Sequence, residues 1–187
     1  MMRSMARGAT IFTFDIDLAD ADRGVYERLA LRVAQHPSEA TDFLLTRVLA
    51  YCLELTEGIG FSSGLCNPDE PAIFVRDATG AYRSWIDIGV PEAKRLHRAA
   101  KAAERVAVYT HKPPEQLRKV LTGARIFRAQ ALHLVAVDRQ LIARWMQQLQ
   151  RRSRIAVSVS GGRVYLATEA ETIEGTLEVL SIAEPGF

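Results

Sequence analysis

Asp69-Glu70-Pro71-Ala72-Ile73-Phe74-Val75-Arg76, then Asp77-Ala78-Thr79-Gly80, then Ala81-Tyr82-Arg83-Ser84-Trp85-Ile86-Asp87-Ile88-Gly89, is the stretch whose reading decides the fold. Two β-rich runs flank the Asp-Ala-Thr-Gly turn signal and predict a hairpin. A turn centred on Ala78-Thr79 sets Arg76 opposite Ala81 and Glu70 opposite Asp87. Opposed residues project to one side of a sheet with Cβ atoms about 4.5–5.5 Å apart. Two carboxylates held that close repel unless positive charge sits between them, and a divalent cation is the usual answer in a hydrolytic site. Alternation also places Ile73, Val75, Ile86 and Ile88 on one apolar face, with Glu70, Ala72, Phe74, Trp85 and Asp87 on the other. Helices over both faces would leave those acids partly buried, where an uncompensated charge is costly.

Working outward, residues 9–18 alternate and read as a strand. Leu29, Leu31 and Val33 alternate too, and favour a second strand pairing back on the first, although a helix also accommodates that spacing. Ser38 is placed to cap a helix, with Glu39 in its first turn, where the helix dipole favours an acid. Phe43, Leu44, Val48, Leu49 and Cys52 recur at helical spacing to about Thr56. A loop of small residues, Gly58 to Pro68, leads into the hairpin. Pro91 suits the first position of a helix running to Arg105. Val106–Tyr109 reads as a short buried strand, Glu115–Leu121 as a helix and Ala131–Val137 as a strand. Asp138 caps a helix through Gln150. Strands at 154–160 and 163–168 flank Gly161-Gly162, and Leu177, Val179 and Leu180 suggest a last strand. The mixture is α/β around one mixed sheet.

Composition sets bounds on function. The chain has 187 residues, 48% of them apolar, and a formal net charge of +2. That length suits one domain with a sizeable core. Bulk charge does not announce a nucleic-acid binder, but basic residues bunch between Lys94 and Arg105 and at Arg151-Arg152-Ser153-Arg154, and local patches decide polyanion binding. Cys52 and Cys66 lack zinc-ligand spacing. His97, His111 and His133 show no ligand spacing either. No apolar run is long enough for a membrane span, and residues 1–8 lack a signal-peptide core, so a cytoplasmic protein is expected.

Three motifs, in this order, resemble the YaeQ family of bacterial proteins. They are His36-Pro37-Ser38-Glu39, then Gly64-Leu65-Cys66 with Asp69-Glu70-Pro71, then Trp85-Ile86-Asp87-Ile88-Gly89-Val90-Pro91. The similarity spans nearly the whole chain, so residues 1–187 read as a single YaeQ-like domain. The resemblance implies a fold related to PD-(D/E)XK nucleases: a mixed central sheet flanked by helices in a restriction-endonuclease-like core, with an added N-terminal β-hairpin and C-terminal β-strands. Sites of that superfamily take an acid from the first core helix, an acid near the start of one hairpin strand, and an acid-x-lysine at the end of the next. Glu39 matches the helix acid. Asp69 or Glu70 matches the first hairpin acid, and the register above favours Glu70. Asp87 matches the second. The lysine has no match, because Gly89 stands in its place.

The resemblance therefore implies a metal-dependent nuclease-like protein acting on nucleic-acid phosphodiesters. Glu70 and Asp87 would hold Mg²⁺ or Mn²⁺, with Glu39 assisting. Such an ion neutralises phosphate charge and acidifies a bound water. Lys94, Arg95 and Arg98, on the helix after Pro91, are the candidates for the absent basic residue. Arginine clamps phosphate well but is a poor proton acceptor. Gly89 also prompts a rival reading: a non-catalytic protein binding nucleic acid or a transcription-related partner while retaining the fold. A protein cation within about 4–6 Å of the carboxylates would replace the metal electrostatically and favour the rival.

Overall fold

The computed structural model describes residues 8–62 and 69–182. In chain order the elements are β1 (Thr10–Asp20), β2 (Val25–Gln35), α1 (Thr41–Leu53), β3 (Ile59–Phe61), β4 (Ile73–Arg76), β5 (Tyr82–Ile88), α2 (Ala93–Ala102), β6 (Arg105–Thr110), α3 (Pro114–Leu121), β7 (His133–Val137), α4 (Arg139–Gln148), β8 (Arg152–Ser160), β9 (Arg163–Ala167) and β10 (Thr172–Leu180). The strands form one mixed sheet in the order β2-β1-β8-β9-β10-β7-β6-β5-β4-β3. β5, β6 and β7 run parallel to one another, with α2 and α3 as the crossovers such pairing demands. β10 joins the two halves of the sheet. Its residues 172–176 pair with β9 and its residues 177–180 with β7.

Apolar alternation explains the layers. Phe14, Ile16 and Leu18 of β1, Ile73 and Val75 of β4, and Ile86 and Ile88 of β5 share one core with Leu44, Val48 and Leu49 of α1 and Leu141, Ile142 and Trp145 of α4. Trp85 of β5 and Val108 of β6 face the other way, into a second core with Leu96 of α2 and Leu117 of α3. Helices therefore cover both faces of β5, the condition under which its acid is buried. No helix among the described residues is long and apolar enough to cross a membrane. The period-two reading of residues 29–35 holds, since β2 pairs antiparallel with β1 along its whole length.

The hairpin register differs from the sequence expectation. Ile73 pairs with Ile86, Phe74 with Trp85 and Val75 with Ser84, and a bulge follows before Arg76 pairs with Tyr82. Glu70 therefore does not face Asp87, and it lies ahead of β4 altogether. The turn is the cause. The Asp77 carboxylate accepts hydrogen bonds from the Thr79 amide, the Thr79 hydroxyl and the Ala81 amide, and Gly80 takes a φ of 87°. This widens the loop and slips the strands by two positions. An even slip keeps every side chain on its expected face.

Other boundaries moved as well. Helix α1 starts at Thr41 with Ala40 at its cap, so Ser38 is not the N-cap and Glu39 is not in the first turn. The Ser38 hydroxyl instead meets His36 Nδ1 at 2.6 Å. Helix α2 is shorter than residues 91–105, because Ala103 is already extended and Arg105 enters β6. Part of the expected 58–68 loop is β3, paired with β4. Gly64, Leu65 and Cys66 lie outside the described residues.

Candidate functional site

Burial on nearly every side of α1 creates the first electrostatic problem. Arg47 sits in this helix among Leu44, Leu45, Val48 and Leu49, with its side chain only 4% exposed. A buried guanidinium needs a partner, and Glu39 supplies it from the turn before the helix. Arg47 Nη2 lies 3.0 Å from Glu39 Oε1 and 3.1 Å from Oε2, and it donates to the Ala34 carbonyl at 2.8 Å. The His36 amide also donates to Glu39 Oε2. Burial pushes the Glu39 carboxyl above its ordinary range, and the Arg47 charge opposes that rise.

Asp87 lies near the end of β5 and is 2% exposed. Arg95, from the first turn of α2, grips both its oxygens: Nε to Oδ2 and Nη2 to Oδ1, each at 2.7 Å. The same Nη2 donates to the Glu70 carbonyl at 2.7 Å, which fixes the loop before β4. The Arg95 guanidinium stands 5.5 Å from the Trp85 ring centre. Planar two-point pairing of this kind is what arginine provides and lysine cannot.

A third group comes from the carboxyl end of β6. Lys112 Nζ donates to Asp42 Oδ2 at 2.7 Å, and His111 Nε2 lies 3.3 Å from the same oxygen. Burial alone would raise the Asp42 pKa, but the Lys112 hydrogen bond, the neighbouring His111 and the Phe43 amide more than reverse it. Burial holds the His111 imidazole below its ordinary value.

These groups border one cavity of about 580 Å³ at the carboxyl ends of β5 and β6. Glu39, Glu70, Asp87 and Arg95 all line it. Lys94 and Arg98 do not. They line, with Arg95 and Arg125, an adjoining groove of about 760 Å³ on the outer side of α2. Arg98 there pairs with Asp69 at 2.8 Å on the exposed surface.

Asp42, Arg47, Lys112 and Gln116 were not among the residues that the sequence singled out, and His111 was set aside there for lacking ligand spacing. A signal existed: Thr110-His111-Lys112 ends an apolar strand, and ligand crevices form at the carboxyl ends of parallel strands. Position 89 also has a physical explanation. Its backbone has a φ of 84°, a conformation that suits glycine and strains lysine.

The Mg²⁺ or Mn²⁺ expected at Glu39, Glu70 and Asp87 does not fit the donors as they are arranged. Arg95 engages both Asp87 oxygens, and both Glu39 oxygens lie against Arg47. Among the described residues, no three or more His, Cys, Asp or Glu side chains are grouped to share an ion.

Comparison with known proteins agrees with the architecture. The family model described as YaeQ protein matches residues 5–177. The crystal structure of the YaeQ protein from Xanthomonas axonopodis pv. citri superposes with a TM-score of 0.84 at 31% identity, covering 92% of this chain and 98% of that one. The Pseudomonas syringae YaeQ structure gives a TM-score of 0.82 at 26% identity, over 95% and 98% of the two chains. The uncharacterized protein YaeQ of Escherichia coli K12 is 26% identical over 174 residues, which is 92% of this chain and 96% of that protein. A family match over most of the sequence, together with this shared fold, places the chain in the YaeQ family.

Proposed function

We propose that this protein binds nucleic acid without a resident divalent metal, on a fold descended from PD-(D/E)XK nucleases. The observation that carries the reading is the two-point Asp87–Arg95 pair. A guanidinium already engages both oxygens of Asp87, so this carboxylate is neutralised from within the chain. The outer face of α2 supplies the binding surface. Lys94, Arg98 and Lys101 fall at helical spacing on an exposed stripe beside Arg125. Cations so placed bind phosphates by displacing condensed counterions.

Calorimetry and oligonucleotide binding test this reading together. On this reading, wild-type protein is expected to show no saturable heat with millimolar Mg²⁺ or Mn²⁺ and no cutting of single- or double-stranded substrates. It retains labelled oligonucleotide with a log–log salt slope of about 2 to 3, as three phosphate contacts require. The triple variant Lys94→Ala, Arg98→Ala, Arg125→Ala loses that binding. Stoichiometric Mg²⁺ binding that disappears in Asp87→Asn overturns the reading and restores the metal-dependent nuclease. That alternative draws its own support from four acidic residues, Glu39, Asp42, Glu70 and Asp87, that line one cavity.

A further inference from the structure

We propose that the cavity beside α2 receives a single unstacked nucleobase bearing an exocyclic amine, from a strand whose phosphates lie along the outer groove. This rests on the nucleic-acid reading above and adds a base-binding role to it.

Position is the first argument. Arg95 forms part of the wall of both the cavity and the groove. A strand on the groove therefore runs within one side chain of the cavity. Size is the second. About 580 Å³ lies in the range of small-ligand sites, roomy for one nucleotide unit and far too small for a duplex. Sign is the third. Of the acidic residues that line the cavity, Glu39 is sealed against Arg47, Asp87 is gripped by Arg95 and Asp42 meets Lys112. Those cations are already committed to carboxylates, which disfavours a phosphate inside, whereas carboxylates accept hydrogen bonds from base amines.

Asp42 is the acceptor best placed for this role. Its side chain is about one-quarter exposed at the cavity. It accepts from the Phe43 amide and from Lys112, and His111 lies beside it. A carboxylate has about four acceptor sites, so capacity for an amine remains. Apolar wall is supplied by Phe43, Ile88, Val90 and Pro91. An aromatic face and aliphatic edges are what an unstacked base requires once it leaves its neighbours.

Oligonucleotides carrying one central 2-aminopurine report unstacking directly. Saturating protein raises the probe's emission by about twofold or more as the base leaves the stack. Oligo-dA and oligo-dC bind about fivefold or more tighter than oligo-dT of equal length, because thymine has no exocyclic amine. In Asp42→Asn that ratio falls to about twofold or less, and Lys94→Ala weakens all three oligonucleotides while keeping the ratio. Salt-dependent binding with equal affinity for all three and unchanged emission overturns the inference while leaving the groove as the binding surface. Absence of any oligonucleotide binding overturns both. A free mononucleotide that binds as tightly as the oligonucleotide overturns the strand as its source.

Discussion

The two arginine–carboxylate pairs at this cavity differ in how far water reaches them. In the Glu39–Arg47 pair the side chains are 0% and 4% exposed, and the arginine also ties α1 to the end of β2. In the Asp87–Arg95 pair the carboxylate is 3% exposed and the arginine 23%. The first pair is sealed inside the fold. The second has its cation at the cavity wall, where a ligand can compete for it. A buried pair is weak evidence for net stability, but breaking one on a single side is severe.

Arg47→Met tests the sealed pair and has the largest expected effect. It leaves Glu39 buried without its counter-charge, and stability falls by about 3–5 kcal/mol in denaturant unfolding. Adding Glu39→Gln to it recovers most of the loss, because the unpaired charge is then gone. If the double variant is as unstable as the single one, the cost lies in packing and not in charge.

Arg95→Gln tests the open pair. Water and the cavity relieve part of the penalty, so the loss is smaller, about 1–3 kcal/mol. Unlike the sealed pair, this one would expose a carboxylate to the cavity, and the variant is expected to bind Mn²⁺ more strongly than wild type. Equal Mn²⁺ behaviour in the two proteins removes the idea that Arg95 substitutes for an ion.

The third comparison uses pH. Burial holds His111 below its ordinary value of 6.5. As pH falls, the unfolded chain therefore binds this proton before the folded one. The stability involved is complete above the unfolded value and is lost as pH drops below it, at a rate of at most about 1.4 kcal/mol per pH unit. His111→Leu should flatten the loss between about pH 7 and pH 5 in chemical unfolding series. An unchanged slope would mean that other groups, His133 among them, carry it.

Arg98→Ala is the smallest effect on stability. Its pair with Asp69 is exposed on both sides, at 56% and 73%, and is worth about 0–1 kcal/mol. Its consequence is expected in oligonucleotide binding, where the salt slope drops by about one contact.

Much of the sheet was legible because the relevant signals are local. Alternation in residues 9–18 and 29–35 announced the β1–β2 hairpin, and Gly161-Gly162 announced the turn between β8 and β9. The two faces of the β4–β5 hairpin were legible for the same reason. Its register was not, because it depended on how the Asp77 carboxylate gathers Thr79 and Ala81. Glu39 and Asp87 emerged as notable acids, but their partners did not. Arg47 could have been found as a cation at a helical core position. Lys112 could not be assigned to Asp42, since seventy positions separate them.

What the amino-acid sequence determined by itself was the kind of each main element and the side each residue presents. Side-chain period and turn chemistry act within a few residues, so no distant contact is needed to read them. Only the tertiary structure decided which charge meets which. Arg47 closes on Glu39, Arg95 on Asp87 and Lys112 on Asp42 because packing two helical layers on one sheet brings distant segments to a single cavity. There, desolvation makes an unpaired charge too costly to leave.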